Sequence, residues 1–247
     1  DVYKRQSPVA HGAPSMDRAD ASYNLFRNES EIATRPTVVY VGTNDGIMHA
    51  FAAEDATVTR DGGTRTTVRG GEELWGFVPP ILLPKLESTL GAHQFMVDAT
   101  PVVKEVFIGR LPGQAPNASE WRTVLVSALR GGGRGFFALD VSDPLKPEFL
   151  WQFANRNVGE TYGQPAFAQV LMNLSGRDHE RAVAILPGGT GTVVPGRQCA
   201  VTGDARPSDA EPHRRARSSR RCWESGLGNG RYLAIVDVAS GRTIREF

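Results

Sequence analysis

The chain repeats one strand pattern three times, and this repetition restricts the folds open to it more than any other feature. Each copy has an apolar strand, a glycine-rich turn and a second apolar strand, and the copies cover 37–52, 122–141 and 181–238. The first turn contains Asn44-Asp45-Gly46 and the third contains Gly228-Asn229-Gly230. Because glycine and asparagine adopt positive φ angles at low cost, we expect three β-hairpins, with a type I′ turn at Asn44-Asp45-Gly46.

Further strand candidates flank each hairpin. A strand that contains an aromatic residue follows each one, at Glu73–Phe77, Phe149–Phe153 and Thr243–Phe247. Strands with a shared start, in which proline is the second residue, precede the second and third hairpins at Thr100–Phe107 and Gln164–Leu171. A unit of four antiparallel strands that repeats along a chain indicates a β-propeller, in which stacked blades bury both faces of each sheet. We expect Trp75 and Trp151 to occupy equivalent strands of successive blades.

The sequence therefore predicts an all-β fold, a partial β-propeller of about three four-stranded antiparallel blades. Helix is scarce, with one candidate at Ile81–Leu90, and the polar stretch Asp55–Gly71 is expected to be a loop. Residues 36–247 are assigned to the propeller, with an insertion at 188–228, and residues 1–35 to a non-native start and lead-in segment. Since a usual ring has four to eight blades, we expect the chain to be a piece of a longer protein. A β-sandwich with chance internal similarity is the alternative fold.

The side chains supply no catalytic, cofactor-binding or metal-binding motif. The 28 basic residues nearly balance the 27 acidic ones, which removes the net-charge argument for nucleic-acid binding. No apolar run approaches the ~18 residues of a membrane-spanning helix. His49 lies within a predicted strand, where we expect it to pair with a carboxylate or the backbone. Asp140 and Asp237 occupy equivalent repeat positions before turns, where we expect them to accept hydrogen bonds from turn amides.

Several longer strings resemble one known family. The strings are VVYVGTNDGIMHAF (38–51), ELWGFVPP (73–80), WRTVLVSALRGGGRGFFALDVSDP (121–144) and LWQF (150–153). Together they resemble the C-terminal β-propeller of the type IV pilus tip-associated proteins of the PilC/PilY type. The matching positions are His49, Asp98, Trp121, Gly131 to Gly135 and Ala138-Leu139-Asp140. The resemblance covers roughly residues 14 to 247.

The resemblance implies a secreted, non-enzymatic bacterial protein that serves type IV pilus biogenesis and surface adhesion. Its place would be the cell surface, at the pilus tip or outer membrane, and its partners would be pilus components and a host or abiotic surface. The family's calcium loop, Asp-x-Asp-x-Asp-Gly, does not occur in this chain, so the cofactor stays unknown. Two alternatives remain open: a quinone-dependent dehydrogenase-like propeller, whose blades share the pattern ALDVSDP…FLWQF, and a ligand-free propeller scaffold.

The predicted insertion holds the remaining candidate residues. Its arginine cluster is a candidate contact for an anionic surface, the alternative being an ordinary solvated loop, and comprises Arg214, Arg215, Arg217, Arg220 and Arg221. Cys199 and Cys222 are the two cysteines of the chain and flank this cluster. If the resemblance places the protein in an oxidising compartment, the two cysteines are expected to form a disulfide.

Overall fold

The computed structural model describes residues 7–60, 63–91, 93–110, 113–174, 176–191, 229–230 and 232–247. Within these ranges the chain forms short strands and little helix. The strands are β1 (Val9–His11), β2 (Val38–Gly42), β3 (Met48–Ala52), β4 (Ala56–Thr59), β5 (Arg65–Val68), β6 (Glu73–Phe77), β7 (Val102–Phe107), β8 (Trp121–Ala128), β9 (Phe136–Asp140), β10 (Glu148–Phe153), β11 (Ala166–Leu174), β12 (Arg177–Pro187), β13 (Leu233–Asp237) and β14 (Thr243–Glu246). The helices are α1 (Ala21–Arg27), α2 (Ser30–Ala33) and two 3-10 helices, Pro80–Leu90 and Ala118–Glu120.

Twelve of these strands form three four-stranded antiparallel sheets. Sheet 1 has the order β1-β2-β3-β6, sheet 2 the order β7-β8-β9-β10 and sheet 3 the order β11-β12-β13-β14. The first strand of sheet 2 contacts the first strands of both neighbouring sheets, so the sheets fan out from that side. The predicted all-β fold of about three four-stranded blades is confirmed.

The tryptophan strands are equivalent, as predicted. Trp75 lies opposite Ala50 and Trp151 lies opposite Ala138, each in the fourth strand of its sheet. In both pairs a bulge leaves the residue just before the tryptophan without a cross-strand partner. A shared irregularity at the same register position is strong support for a repeated unit, because β-bulges are specific features.

Two apolar cores lie between the sheets. Val124 and Val126 of β8 pack in the core shared with sheet 3, whereas Leu125 between them packs in the core shared with sheet 1. Since successive side chains of a strand point to opposite faces, β8 is buried on both faces. This explains why its sequence is almost continuously apolar rather than alternating.

The first strand of sheet 1 comes from the lead-in segment and was not predicted. Pro8 precedes β1 just as Pro101 precedes β7 and Pro165 precedes β11. β1 pairs antiparallel with β2, with Ala10 opposite Val39. A strand of three residues is too short to show a periodicity, so proline was the one sequence signal for it.

Two local predictions need correction. The expected loop Asp55–Gly71 contains the hairpin β4–β5, because alternating threonine and valine side chains favour paired strands over open loop. The helix expected over Ile81–Leu90 is a 3-10 helix over Pro80–Leu90. Pro84 within it cannot donate a backbone hydrogen bond, which disfavours a regular α-helix. None of the described helices is long and apolar enough to cross a membrane.

Candidate functional site

The arginines and cysteines singled out in the sequence lie outside the described residues. This applies to Arg214, Arg215, Arg217, Arg220, Arg221, Cys199 and Cys222. The anionic contact and the disulfide therefore stay predictions. The described ends of the insertion belong to the connection between β12 and β13, where the Gly188 amide donates to the Tyr232 carbonyl. In strand order this connection is equivalent to the β2–β3 and β8–β9 turns.

The β2–β3 turn differs in type from the prediction. The Gly46 amide donates to the Thr43 carbonyl at 3.3 Å, and the Thr43 amide donates to the Ile47 carbonyl at 3.0 Å. Gly46 has a φ of 93°, whereas Asn44 and Asp45 keep negative φ. A type I′ turn needs positive φ at both central residues, so the turn is instead a three-residue loop that ends in a left-handed glycine. The Asp45 carboxylate accepts from the Ile47 amide at 3.1 Å, which gives it a role within the turn.

His49 pairs with a carboxylate, as predicted. Its Nδ1 lies 2.7 Å from Glu73 Oε1 on β6, and its Nε2 lies 3.2 Å from the Thr43 hydroxyl. The Asp45 carboxylate lies 3.5 Å from the same Nε2. The sequence placed His49 in a strand but did not identify these partners, because Glu73 is 24 residues further along the chain.

The aspartates before the turns and the tryptophans of the fourth strands have structural roles. Asp140 accepts from the Ser142 amide and Asp237 from the Ser240 amide, both at 2.9 Å, which confirms the predicted turn capping. The Trp151 indole donates to the Val238 carbonyl of sheet 3 at 2.7 Å, and the Trp75 indole donates to the Pro144 carbonyl of sheet 2 at 3.0 Å. Each indole thus joins its sheet to the next one. The Ala-Leu-Asp and tryptophan pattern therefore contributes to turn capping and blade packing.

A buried ionic cluster between sheets 1 and 2 escaped the sequence analysis. Glu105 Oε1 on β7 accepts from Arg35 Nη2 at 3.0 Å and lies 2.7 Å from His11 Nε2 on β1. Arg35 also donates through Nη1 to the Thr123 hydroxyl at 2.6 Å and through Nε to the Gly12 carbonyl at 2.8 Å. The Arg35 and Glu105 side chains are only 3% and 5% exposed. The cluster therefore ties the lead-in segment, including β1, to β7 and β8 of sheet 2.

For both Glu105 and Arg35, burial and the neighbouring charges shift the pKa in opposite directions. Burial alone would raise the pKa of Glu105, but the hydrogen bond with His11 and the positive charges of His11 and Arg35 hold that pKa below its usual range. Burial lowers the pKa of Arg35, and the Glu105 carboxylate opposes this shift. At neutral pH the pair is therefore an ionised, hydrogen-bonded contact. Because Arg35 and Glu105 both have hydrogen-bond partners, the cluster is suited to holding the two sheets in register rather than to moving protons.

Sheet 3 carries an open depression of about 480 Å³ beside the β13–β14 turn. It is lined by Met172, Arg181, Asp237, Ala239, Ser240, Arg242, Thr243 and Ile244. Arg181 donates to the Ile108 carbonyl of the β7–β8 connection, and Asp237 caps its own turn. The Ser240 hydroxyl also donates to the Asp237 carboxylate, at 2.7 Å, within the same turn. In the described part of the chain, no group of three His, Cys, Asp or Glu side chains is placed to hold a metal ion.

Comparison with known proteins identifies the family. The model of the PilY1 beta-propeller domain matches residues 13–167. The type IV pilus biogenesis factor PilY1 of Pseudomonas aeruginosa is 32% identical over 181 residues, which cover 66% of this chain and 13% of that protein. A type IV pilus biogenesis factor PilY1 homolog of Xylella fastidiosa is 35% identical over 144 residues, which cover 56% of this chain and 10% of that protein. The chain thus spans a small part of these relatives.

A solved structure agrees with the fold. The crystal structure of the Pseudomonas aeruginosa PilY1 C-terminal domain superimposes with a TM-score of 0.55 at 24% identity, covering 96% of this chain and 36% of that chain. At this identity the likeness concerns the fold alone. The resemblance seen in the sequence is confirmed, since the family match extends over more than half of the 247 residues and the stacked four-stranded sheets fit it. This chain belongs to the family of PilY1 beta-propeller domains.

Proposed function

We propose that this chain is the propeller part of a non-enzymatic protein that acts in type IV pilus biogenesis and surface adhesion. The observation that carries the proposal is the match to the PilY1 beta-propeller domain over residues 13–167, in a chain that folds as stacked four-stranded blades. The relatives from Pseudomonas and Xylella are named as pilus biogenesis factors. By this reasoning the protein acts outside the cytoplasm, at the pilus tip or outer membrane, with pilus components as partners.

In a propeller, the loops that connect the strands are where residues that contact a surface are expected. Blades packed through two-sided apolar cores make a rigid frame, and functional residues in such frames sit on loops. The insertion at 188–228 falls in the sequence between β12 and β13 and carries the five arginines of the predicted contact. An arginine cluster attracts anionic head groups or polysaccharide and binds carboxylates and phosphates in bidentate fashion. The host or abiotic surface is accordingly expected to be anionic.

Biogenesis is tested by deleting the gene that encodes this chain in its own bacterium. We expect loss of pili that can be sheared from the surface, restored by the wild-type gene and not by a gene lacking residues 36–247. The protein should be found in the sheared pilus or outer-membrane fraction. Unchanged piliation in the deletion strain would refute a role in biogenesis.

Adhesion is tested in strains with equal numbers of pili. Replacing the five arginines by glutamine should reduce binding to anionic beads, whereas replacing them by lysine keeps the charge and is the matched control. The substituted residues are Arg214, Arg215, Arg217, Arg220 and Arg221. Equal binding by the glutamine and lysine variants would reject the arginine contact and leave the biogenesis result unaffected.

A further inference from the structure

The depression on sheet 3 is lined by residues from all four strands of that sheet and from the β13–β14 turn. Its volume of about 480 Å³ lies within the range of ligand sites. Met172 and Ile244 give it apolar surface, and Ile244 is 40% exposed. Arg181, Arg242 and Thr243 give it hydrogen-bond donors. Apolar surface beside a few polar groups is typical of sites that bind a ligand.

An ion pair of sheet 2 is missing at the equivalent position of sheet 3, inside this depression. The strand registers make Arg122 and Asp140 of sheet 2 equivalent to Arg181 and Asp237 of sheet 3. Arg122 Nη1 lies 3.0 Å from the Asp140 carboxylate. Arg181 instead donates through Nη1 to the Ile108 carbonyl, and in the described part of the chain no ion pair joins it to Asp237. The equivalent position in sheet 3 therefore stays open.

The side chains that line the depression carry a net positive charge, because two arginines face one aspartate. The Asp237 carboxylate accepts from the Ser240 amide at 2.9 Å and from the Ser240 hydroxyl at 2.7 Å, so its own turn supplies it with two donors. Among the described hydrogen bonds, Arg242 takes part only through its backbone, whose amide donates to the Ser240 hydroxyl and whose carbonyl accepts from the Asp237 amide. The Arg242 guanidinium is thus placed to meet an anionic group from outside.

We propose that the depression binds a peptide segment of a partner protein in which an acidic residue stands next to an apolar one. The carboxylate pairs with the Arg242 guanidinium, whose planar N–H groups match a carboxylate in bidentate fashion. The apolar side chain packs against Met172 and Ile244. This second contact favours a peptide over a free anion or an acidic polysaccharide, neither of which carries an apolar side chain. The inference goes beyond the proposed function and involves none of the five arginines of the insertion.

The test titrates four short peptides into the whole chain, labelled with nitrogen-15. The probe is an end-capped tetrapeptide, glycine-glutamate-isoleucine-glycine, and its three relatives carry glutamine or lysine for the glutamate, or glycine for the isoleucine. Binding of the probe should shift the signals of the Arg242 Nε–H group and of the Ser240 and Thr243 amides. The glutamine peptide should bind about fivefold more weakly, the upper size for an exposed ion pair. The lysine and glycine peptides should also bind more weakly than the probe.

Variants of the chain assign the two contacts separately. Arg242→Gln should weaken the probe about fivefold and leave the glutamine peptide unchanged, whereas Ile244→Ser should weaken both. Arg65→Gln removes an exposed arginine on β5, outside the depression, and should leave every affinity as it was.

Three results would overturn the peptide site. The first is equal affinity for the glutamate and glutamine peptides, or tighter binding of the lysine peptide. The second is equal affinity when glycine replaces the isoleucine, which would indicate a site for any anion. The third is dimerisation of the chain in sedimentation experiments that Arg242→Gln abolishes, which would show that a second copy occupies this face.

Discussion

Replacing Gly241 by alanine tests the contact between sheets 2 and 3. Gly241 lies in the β13–β14 turn with a φ of 68°, a left-handed conformation that favours glycine. A Cβ atom built on it would lie 2.5 Å from Trp151 Cγ and 2.7 Å from Trp151 Cβ. Trp151 is itself fixed there, because its indole donates to the Val238 carbonyl. The added methyl therefore has no room unless the tryptophan or the turn moves.

The magnitude has two parts that a second glycine separates. The left-handed backbone costs an alanine about 1–2 kcal/mol wherever it occurs. Overpacking against the ring adds about 1–3 kcal/mol. Gly71 has a φ of 85° and no atom within 4 Å of an added Cβ, so Gly71→Ala carries the backbone cost alone. We expect a loss of about 2–5 kcal/mol in the free energy of unfolding for Gly241→Ala and about 1–2 kcal/mol for Gly71→Ala.

Urea unfolding followed by tryptophan fluorescence measures both losses. In a double-mutant cycle, Trp151→Leu should relieve part of the cost of Gly241→Ala, since residues in contact are not additive. The same Trp151→Leu change combined with Gly71→Ala should be additive. Equal costs for the two alanines, or an additive cycle at Gly241, would refute the reasoning that Trp151 packs on this turn.

Three other changes probe the cluster, the repeat and the insertion. Glu105→Gln should lower the free energy of unfolding by about 3–5 kcal/mol at pH 7. Because the pKa of Glu105 is lowered on folding, this difference should begin to shrink as the pH falls below about 4.3, the ordinary pKa of glutamate, and should be lost only below the lowered pKa of the folded state, in an acid titration of both proteins. Trp75→Phe and Trp151→Phe should each cost about 1–3 kcal/mol by leaving a carbonyl of the next sheet without its donor; a cost at only one of them in urea unfolding would contradict their equivalence. Cys199 and Cys222 should resist alkylation until reduced when the chain is made in an oxidising compartment, the bridge adding roughly 3.4 kcal/mol; alkylation of both without reductant would exclude it.

Much of the fold could be predicted because each blade carries its own local signals. Glycine-rich turns and prolines before first strands reflect backbone needs that only a few residue types satisfy, and the tryptophans of two fourth strands reflect packing between sheets. β1 was missed because three residues carry no periodicity, although Pro8 marks its start. The hairpin β4–β5 was missed because its polar threonines resemble loop composition while their branched side chains favour strands.

The buried cluster could not be predicted, for a different physical reason. Arg35 and Glu105 are 70 residues apart, and no spacing rule relates two charges on different sheets. One sequence signal did exist, since Glu105 interrupts the apolar run of β7 (VVKEVF). A carboxylate on the buried face of a strand requires a cationic partner, because an isolated buried charge is strongly unfavourable. That argument predicts that a partner exists but not which of the 28 basic residues provides it.

The fourth strand of sheet 3 can be compared position by position with the fourth strands of sheets 1 and 2. Aligning the bulges places Phe77, Phe153 and Phe247 in register, each opposite the first residue of its sheet's third strand or hydrogen-bonded to it. The same alignment places Arg245, opposite Ile235, where Trp75 and Trp151 stand in the other sheets. Phe247, the aromatic residue from which this strand was predicted, is thus equivalent to Phe77 and Phe153 and not to the tryptophans. Tryptophan and arginine share an N–H donor at the end of a long side chain, and the Arg245 guanidinium lies 5.0 Å from the centre of the Phe247 ring. The apolar ring at this position is thus exchanged for a charged side chain in the third blade, so a search for tryptophan alone would have counted two blades instead of three.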